Sequence, residues 1–237
     1  MGKALWYIAS PRSLKPFHDW ASKVDYVDKL IVKNHMHHEA QEIAMSFFFE
    51  RKYDYFIISS DDLVGEVNHI KLLIENEEKH KFPVISGWMH YLVGRRKAAN
   101  VTMEPVKDIK TPEKVRMASY NWVLAKDIID KKYGYPFFKA WFVGLPLTLI
   151  RRDILKKIPL KPFLFQRDIY CTTPETKKKG RGKMFDLQFA INCARAKVPI
   201  TIDARIALRE IQGNLKKGQR RLEVGQNPRV EFIKATR

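Results

Sequence analysis

The sequence predicts a single α/β domain in which helices flank a mixed, mostly parallel central sheet. Short apolar runs alternate with stretches of helical period from the first residues onward, which is typical of strands linked by crossover helices. The chain has 237 residues and is 45% apolar, which suits one well-filled core better than two. We therefore expect one folded domain over residues 1–212 and a basic tail over residues 213–237.

The first half of the chain shows three strand–helix units and a further strand. Strands are predicted from short apolar runs, and helices from apolar residues at helical spacing. Because crossover connections are right-handed, these strands are expected to lie parallel. In order, the predicted elements are a strand at 4–9, a helix at 14–23, a strand at 29–33, a helix at 38–51, a strand at 53–59, a helix at 63–78 and a strand at 82–87.

The second half is less regular. Scattered polar and aromatic residues over 100–125 predict extended segments or a hairpin, and the apolar run at 140–149 predicts a strand. Three further elements follow: a short helix at 151–157, an amphipathic helix at 186–196 and a last strand at 200–208. Residues 213–237 show little apolar periodicity, which is the reason for predicting a polar tail there.

The charge of the chain restricts its partners. There are 44 lysines and arginines against 26 acidic residues, a formal net charge of +18. Such a surplus attracts anions, which include nucleic acid, anionic lipid and phosphorylated small molecules. The basic residues are densest in a predicted loop over 174–183, and a second group lies in the tail. They are Lys177, Lys178, Lys179, Arg181 and Lys183 in the loop, and Lys216, Lys217, Arg220 and Arg221 in the tail.

Cysteine content and hydropathy bear on the cellular compartment of the protein. Two cysteines, Cys171 and Cys193, are too few for a disulfide framework or a four-cysteine zinc site, so a reducing, cytoplasmic setting is expected. The longest apolar run, at 140–150, is too short to span a membrane and contains Gly144 and Pro146. A peripheral location at an anionic membrane surface stays compatible with the charge.

The turn after the first strand excludes several nucleotide-binding folds. It reads Ser10-Pro11-Arg12-Ser13 and contains no glycine. Neither the dinucleotide-binding turn GxGxxG nor the P-loop GxxxxGK[ST] is therefore present there. Ligands of open α/β sheets bind beyond the carboxyl ends of the strands, so Ser10 and Arg12 remain candidates for contact with a different ligand.

The third strand ends in two hydroxyls and two carboxylates. Ser60, Asp61 and Asp62 follow the apolar run directly and are expected in the ligand crevice. Adjacent carboxylates repel one another, and a divalent cation or basic neighbours would offset that repulsion. The structural alternative is that one of the three caps a helix beginning near Leu63.

This segment resembles the GT-A glycosyltransferases, especially the family 2-like enzymes that use nucleotide-diphosphate sugars. In that family a buried strand ends in a DxD motif, and residues 60–62 occupy its place. Residues 83–87 look like the next strand, and residues 144–153 are similar to a glycine-led segment near the sugar and the acceptor. Residues 185–189 look like the start of the xED helix, and residues 200–203 like the strand after it.

The resemblance implies a GT-A-like, Rossmann-related domain with glycosyltransferase activity. Asp62 matches the carboxylate that holds Mg²⁺ or Mn²⁺ on the donor diphosphate, and Ser60 stands where the other Asp would be. Asp186 matches the base that deprotonates the acceptor hydroxyl in an inverting, hexosyltransferase-type reaction. Gly144 would lie near the sugar. The cofactor set would be a nucleotide-diphosphate sugar with a divalent cation, and the acceptor could be a glycan, lipid, protein or nucleic acid.

Two positions depart from the family pattern. Arg209 stands where the family usually has a metal-binding His; arginine cannot ligate a metal but binds phosphate well. The acidic residue that often ends the second strand is absent, since that strand ends Lys33-Asn34-His35, which leaves the nucleotide open. The basic loop, including Lys183, is then expected to close over the donor or to hold an anionic acceptor or membrane headgroups.

Two other classes of protein fit part of the sequence. The charge and the two basic segments fit a nucleic-acid-binding protein on an inactive α/β scaffold, which would lose affinity steeply as salt rises. A polymerase-like nucleotidyltransferase also needs paired carboxylates, but the motifs of the second half fit it poorly.

Overall fold

The fold is that of a computed structural model, which describes residues 2–10, 14–35, 37–93, 96–105, 121–160, 185–211 and 227–236. The strands are β1 (Ala4–Ser10), β2 (Asp28–Lys33), β3 (Tyr55–Ser60), β4 (Leu63–Val64), β5 (Val84–Val93), β6 (Arg96–Thr102), β7 (Trp122–Leu124), β8 (Phe137–Ala140), β9 (Phe142–Val143), β10 (Leu147–Arg151), β11 (Ile200–Glu210) and β12 (Arg229–Ile233). The helices are α1 (Lys15–Ser22), α2 (His37–Glu50), α3 (His69–His80), α4 (Ala125–Ile129), α5 (Arg152–Lys157) and α6 (Phe185–Arg195).

One mixed sheet runs through the molecule in the order β12-β2-β1-β3-β10-β5-β11-β4. Strands β1, β2 and β3 are parallel to one another, and β5 is parallel to β11. Strand β10 lies between β3 and β5 and is antiparallel to both, so β3 and β5 run in the same direction. The predicted α/β domain with a mixed, mostly parallel sheet is confirmed.

Helices cover both faces of the sheet, and each face has its own core. Alternate residues of a strand point to opposite faces, so Leu5 and Tyr7 join one core while Trp6 and Ile8 join the other. Residues of α1 and α3 complete the second core, and residues of α2, α4, α5 and α6 belong to the first. This two-sided burial explains why the central strands read as continuous apolar runs.

The helix predicted at 63–78 is wrong over its first six residues. Leu63–Val64 form β4, which pairs with Arg209 and Glu210 at the end of β11, and the helix α3 begins only at His69. Gly65 lies between them in a tight place, because a Cβ on it would lie 2.8 Å from His69 Nδ1 and 2.8 Å from Leu208 Cδ2. No helix follows Asp62 directly, so helix capping does not explain the acidic residues at 60–62.

The single strand predicted at 140–149 is also wrong. The segment divides among the end of β8, the short strand β9 and most of β10, which have different partners: β11, β6, and β3 with β5. Leu145 has a positive φ of 46°, and Pro146 cannot donate a ladder hydrogen bond. The break at 144–146 lets β10 enter the sheet antiparallel.

Part of the predicted polar tail belongs to the sheet. Strand β12 pairs antiparallel with β2, from Arg229 opposite Lys33 to Ile233 opposite Lys29, a strand that the sequence analysis did not predict. The Asp28 carboxylate holds the end of this segment, accepting the Ala235 N–H at 2.9 Å and the Tyr53 hydroxyl at 2.7 Å. Residues 212–226 lie outside the described part, and the domain boundary at residue 212 stays a prediction.

Within the ranges given above, no helix is both long enough and apolar enough to cross a bilayer.

We expect Gly87→Ala to destabilise the fold by about 1–3 kcal/mol, the usual cost of overpacking a core. Gly87 lies in β5 against the irregular part of β11, where an added Cβ would approach Ile206 Cγ2 to 2.5 Å and the Ile206 carbonyl oxygen to 2.7 Å. The backbone oxygen cannot rotate away. Urea unfolding of the variant measures the loss, and an unchanged midpoint would contradict it.

Candidate active site at the carboxyl edge of the sheet

The ends of β1 and β3 meet in a buried polar contact. The Ser10 hydroxyl donates to Asp61 Oδ2 at 3.2 Å, and it lies 3.4 Å from Nε2 of His18 on α1. Ser10 and Asp61 are both fully buried. The Asp61 N–H donates to the Ala9 carbonyl at 3.1 Å, which fixes the turn after β3 against β1. Asp61 therefore faces inward, toward Ser10.

Asp62 has different surroundings. It is half-buried, and it accepts a short hydrogen bond from the hydroxyl of Ser60, the last residue of β3. Its backbone carbonyl accepts the Ile211 N–H at 2.7 Å. The two neighbouring carboxylates thus have separate hydroxyl partners, and Asp62 is the one with solvent access.

Arg209 lies on the strand beside this turn. It is opposite Val64 in the antiparallel pairing of β11 with β4, and it is exposed. Because β4 begins directly after Asp62, this pairing brings a permanent positive charge to the same edge of the sheet as the acidic turn. An arginine there can bind phosphate oxygens in a bidentate manner.

Asp186 lies in the first turn of α6 and is only 6% exposed. Its Oδ1 accepts the Leu187 N–H at 2.7 Å. Burial raises the pKa of this carboxyl to about 6, although hydrogen bonds from backbone N–H groups oppose the rise. A carboxyl with this pKa is ionised at neutral pH and still basic enough to accept a proton, as general-base catalysis needs.

Asn100, on β6, is a neighbour of Asp186 that the sequence analysis missed. Its Oδ1 accepts the Met89 N–H at 2.9 Å, and its carbonyl accepts the Gly144 N–H at 3.1 Å. A Cβ on Gly144 would lie 3.0 Å from Asn100 Nδ2 and 3.7 Å from Asp186 Oδ2. Gly144, Asn100 and Asp186 therefore form a second polar group.

Strand register places both polar groups at one edge of the sheet. Leu147, the first residue of β10, is opposite Ser59 on β3, so Gly144 continues past the edge at which Ser60 ends its strand. On the far side of β10, Met89 of β5 is opposite Leu208 of β11, and Leu208 immediately precedes Arg209. Neighbouring strands are about 4.8 Å apart, so the two groups belong to the same region of the surface.

The described residues do not by themselves enclose a metal ion. Among them, no group of three or more His, Cys, Asp or Glu side chains could hold one. Mg²⁺ and Mn²⁺ that act on nucleotides are usually held by one or two carboxylates, with phosphate oxygens and water completing the shell. Asp62 could serve as the single protein ligand in such a site. The described residues do not provide enough carboxylates for a site built from protein ligands alone.

The structure brings most of the predicted site residues to this edge. They are Ser10, Ser60, Asp61, Asp62 and Arg209 in one group, and Gly144 and Asp186 in the other. Arg12, Lys183 and the rest of the basic loop lie outside the described residues.

His18 and Asn100 were missed as site residues. Asn100 is a polar residue within the apolar run Ala98-Ala99-Asn100-Val101, which is a signal that could have indicated it.

Fold and site together define a Rossmann-like α/β domain with polar residues grouped at the carboxyl ends of its parallel strands. No protein-family model matches the chain, and no curated protein matches its sequence. In fold it is similar to A197 from STIV, with a TM-score of 0.54 and 18% identity over 99% of this chain and 95% of A197. That likeness shows a shared fold.

Two further solved structures are similar at lower TM-scores. One is S. aureus TarS 1-349 in complex with UDP-GlcNAc, with a TM-score of 0.47 and 10% identity over 90% of this chain and 60% of that one. The other is CMP:2-keto-3-deoxy-manno-octonic acid synthetase complexed with CTP, with a TM-score of 0.40 and 11% identity over 87% of this chain and 90% of that one.

Proposed function

We propose that this protein is a glycosyltransferase that moves a sugar from a nucleotide-diphosphate donor to an acceptor hydroxyl with inversion at the anomeric carbon. The observation that carries the proposal is the buried Asp186 carboxyl, whose pKa is raised to about 6 at the sheet edge that also holds Asp62. One carboxyl suited to proton transfer and another suited to a cation are the two groups that this reaction needs.

The donor diphosphate is assigned to the edge formed by the ends of β1 and β3. Asp62 would bind the divalent cation, the Ser60 hydroxyl would hold the Asp62 carboxylate in place, and the exposed Arg209 would bind phosphate oxygens directly. A bound Mg²⁺ or Mn²⁺ would supply positive charge against the leaving diphosphate. Asp61 and Ser10 are assigned a positioning role, because they are buried against one another.

The acceptor is assigned to the side of Asp186. The acceptor oxygen attacks the anomeric carbon, the bond from that carbon to the diphosphate oxygen breaks, and the hydroxyl proton passes to the Asp186 carboxylate. The released diphosphate carries the bonding electrons and needs the positive charge of Arg209 and the cation. Burial of Asp186 keeps its carboxylate weakly hydrated, so that it accepts the proton more readily.

A binding and hydrolysis screen tests the proposal. The full chain is titrated with UDP- and GDP-linked sugars, with and without Mn²⁺, and release of the nucleoside diphosphate is followed over time. Saturable binding of at least one donor, with slow hydrolysis, is expected. Absence of binding across the panel would contradict the proposed function.

We expect the rate with a bound donor to rise with pH through about 6 and then to level off. Asp186 must be ionised to accept a proton, and its pKa is raised to about 6, so the active fraction falls below that pH. A pH profile of donor hydrolysis at saturating donor measures this. A rate that stays constant between about pH 4 and about pH 8, roughly two pH units on either side of the expected midpoint, would exclude Asp186 as the base.

Salt dependence separates this function from nucleic-acid binding, which the net charge of +18 also favours. A binder that makes many phosphate contacts loses affinity steeply as salt rises. We expect donor binding to change little over the same range. Tight, salt-sensitive binding of duplex or single-stranded oligonucleotides, without binding of any nucleotide sugar, would favour the alternative.

A further inference from the structure

The side-chain amide of Asn100 is buried. Its oxygen is hydrogen-bonded, but its nitrogen donates to none of the described residues. Asn100 is 5% exposed, and its Oδ1 is engaged by the Met89 N–H at 2.9 Å. That bond fixes which way the amide points, because the acceptor end faces Met89 and the donor end, Nδ2, points away from it. Among the residues that the structure describes, no atom accepts a hydrogen bond from Nδ2.

The free end of the amide faces the same space as the Asp186 carboxylate. A side chain on residue 144 would begin 3.0 Å from Asn100 Nδ2 and 3.7 Å from Asp186 Oδ2. Residue 144 is a glycine, so that volume holds no side-chain atom. The Gly144 N–H donates to the Asn100 carbonyl, which ties the two backbones together and sets the position of the space.

A donor and an acceptor that face one small space are complementary to a hydroxyl group. A hydroxyl oxygen accepts one hydrogen bond and donates another. Asn100 Nδ2 can donate only, and an ionised carboxylate such as that of Asp186 can accept only. A carbonyl could use only the amide in this space, and an ammonium only the carboxylate.

We propose that Asn100, Gly144 and Asp186 form the subsite for the acceptor hydroxyl, with Asn100 Nδ2 donating to its oxygen and Asp186 Oδ2 receiving its proton. This inference rests on the proposed function for its catalytic meaning. It adds a substrate-binding residue and a steric requirement that the sequence analysis did not assign. Donation by Asn100 orients the lone pairs of the hydroxyl oxygen, so that its O–H bond points to Asp186.

The same distances give a reason for glycine at residue 144 that does not depend on its backbone dihedral angles. An alanine methyl group there would lie 3.0 Å from the amide nitrogen and 3.7 Å from Asp186 Oδ2, and its van der Waals radius would keep a hydroxyl oxygen from approaching both groups. Asn100 could not turn aside without breaking its bond to Met89. The subsite therefore predicts that Gly144→Ala excludes the acceptor while leaving the donor edge unchanged.

Glycerol is a suitable probe because it offers hydroxyl groups and no charge. In isotope-labelled full-length protein, we expect increasing glycerol to shift the Asn100 side-chain amide resonances and the Asp186 carboxyl resonance along one saturable curve. In Gly144→Ala both shifts should be lost. The exposed Asn68 provides a reference amide, which should change only linearly with glycerol. Absence of saturable shifts in the unmodified protein, or identical shifts in Gly144→Ala, would overturn the subsite.

Variants of Asn100 give a second readout that does not depend on Gly144→Ala folding normally. Asn100→Ala should lower the rate of transfer or donor hydrolysis about tenfold, the equivalent of one lost hydrogen bond, with unchanged donor affinity. Asn100→Asp should move the acidic limb of the pH profile upward, because a second carboxylate raises the pKa of Asp186. Asn68→Ala is the matched control and should leave both properties unchanged. If Asn100 is only structural, Asn100→Ala will lower the unfolding midpoint and leave the rate of the folded protein and its pH profile unchanged.

The outcomes separate the two proposals. Saturable glycerol shifts without binding of any nucleotide sugar would remove the proposed function and leave a hydroxyl-binding subsite. Donor binding and hydrolysis with no glycerol response and an undiminished rate in Asn100→Ala would remove the subsite and leave the proposed function.

Discussion

Replacing Asp186 with asparagine is expected to abolish sugar transfer and to make the protein more stable at neutral pH. Loss of a general base costs about 10²–10⁴-fold in rate. Donor affinity should stay nearly intact, because the donor edge is formed by other residues. Asn is close to Asp in size and can still accept the Leu187 N–H, so the start of α6 is retained. Single-turnover kinetics and donor titration measure the two effects separately.

The gain in stability has a definite pH dependence. The pKa of Asp186 is raised from 3.8 to about 6 on folding, so its ionisation is disfavoured in the folded protein. Its contribution to stability is complete below pH ~4 and is lost as pH rises through about 6. Relative to wild type, Asp186→Asn should therefore gain stability over that interval, by at most about 3 kcal/mol. Urea unfolding at a series of pH values measures the gain.

Asp153→Asn provides a matched control. Asp153 also lies in the first turn of a helix, α5, but it is largely exposed and paired with Arg151 at 2.8 Å. We expect little effect on transfer and no pH-dependent gain in stability. If Asp186→Asn loses donor affinity as strongly as it loses rate, the carboxylate binds donor and the assignment as base is wrong.

Variants of the two adjacent carboxylates are expected to change different properties: donor binding for Asp62 and stability for Asp61. Asp62→Ala should weaken donor binding by roughly 10–100-fold, the range for losing a hydrogen bond or contact to a charged group, with little change in stability. Asp61→Ala should lower the free energy of unfolding by about 1–3 kcal/mol, because it leaves the buried Ser10 hydroxyl without its acceptor. Donor titration and thermal unfolding of both variants measure the contrast.

The contrast follows from burial. Asp61 is fully buried against Ser10, while Asp62 is half-buried beside Ser60. Ser60→Ala is a useful companion, since it should reproduce part of the Asp62 effect by releasing that carboxylate. Equal loss of donor affinity in Asp61→Ala and Asp62→Ala, at equal stability, would mean that both carboxylates bind the donor, contrary to the assignment.

The parts of the fold that follow from local patterns were predicted well. The strand at 4–9 and the helix at 38–51 correspond to β1 and α2 within one residue at each end. In both cases the pattern of apolar residues reports burial directly, because the strand is covered on both faces and the helix on one. The parallel direction of β1, β2 and β3 also followed from the order of these elements.

The parts that depend on distant partners were not predicted. Leu63–Val64 are extended because Arg209 and Glu210, far away in the sequence, pair with them, although the apolar spacing that continues into α3 favours a helix. Among the described strands, β12 pairs with β2 alone, and four of its five residues are exposed, so its composition resembles a tail. Local periodicity carries no information about either pairing.

The site shows the same division. Asp62 and Asp186 were singled out from the sequence because they stand at the ends of recognisable elements and match a family pattern, and their roles stay predictions. Asn100 was not singled out, since its contacts come from Met89 on the neighbouring strand and from Gly144, and neither contact can be read from the local pattern around residue 100. The separate partners of Asp61 and Asp62 likewise depend on β1 and on the turn geometry.

The antiparallel direction of β10 has a consequence for how this protein could diversify. Because β10 enters the sheet from the same edge at which β3 ends, the connection before it brings Gly144 to that edge, whereas Ser10, Ser60 and Arg209 lie at the ends of strands that run opposite to β10. Under the proposed function, the acceptor and the donor would therefore be contacted by separate parts of the backbone. Substitutions at 144–146 are then expected to change the choice of acceptor while leaving nucleotide binding unaffected.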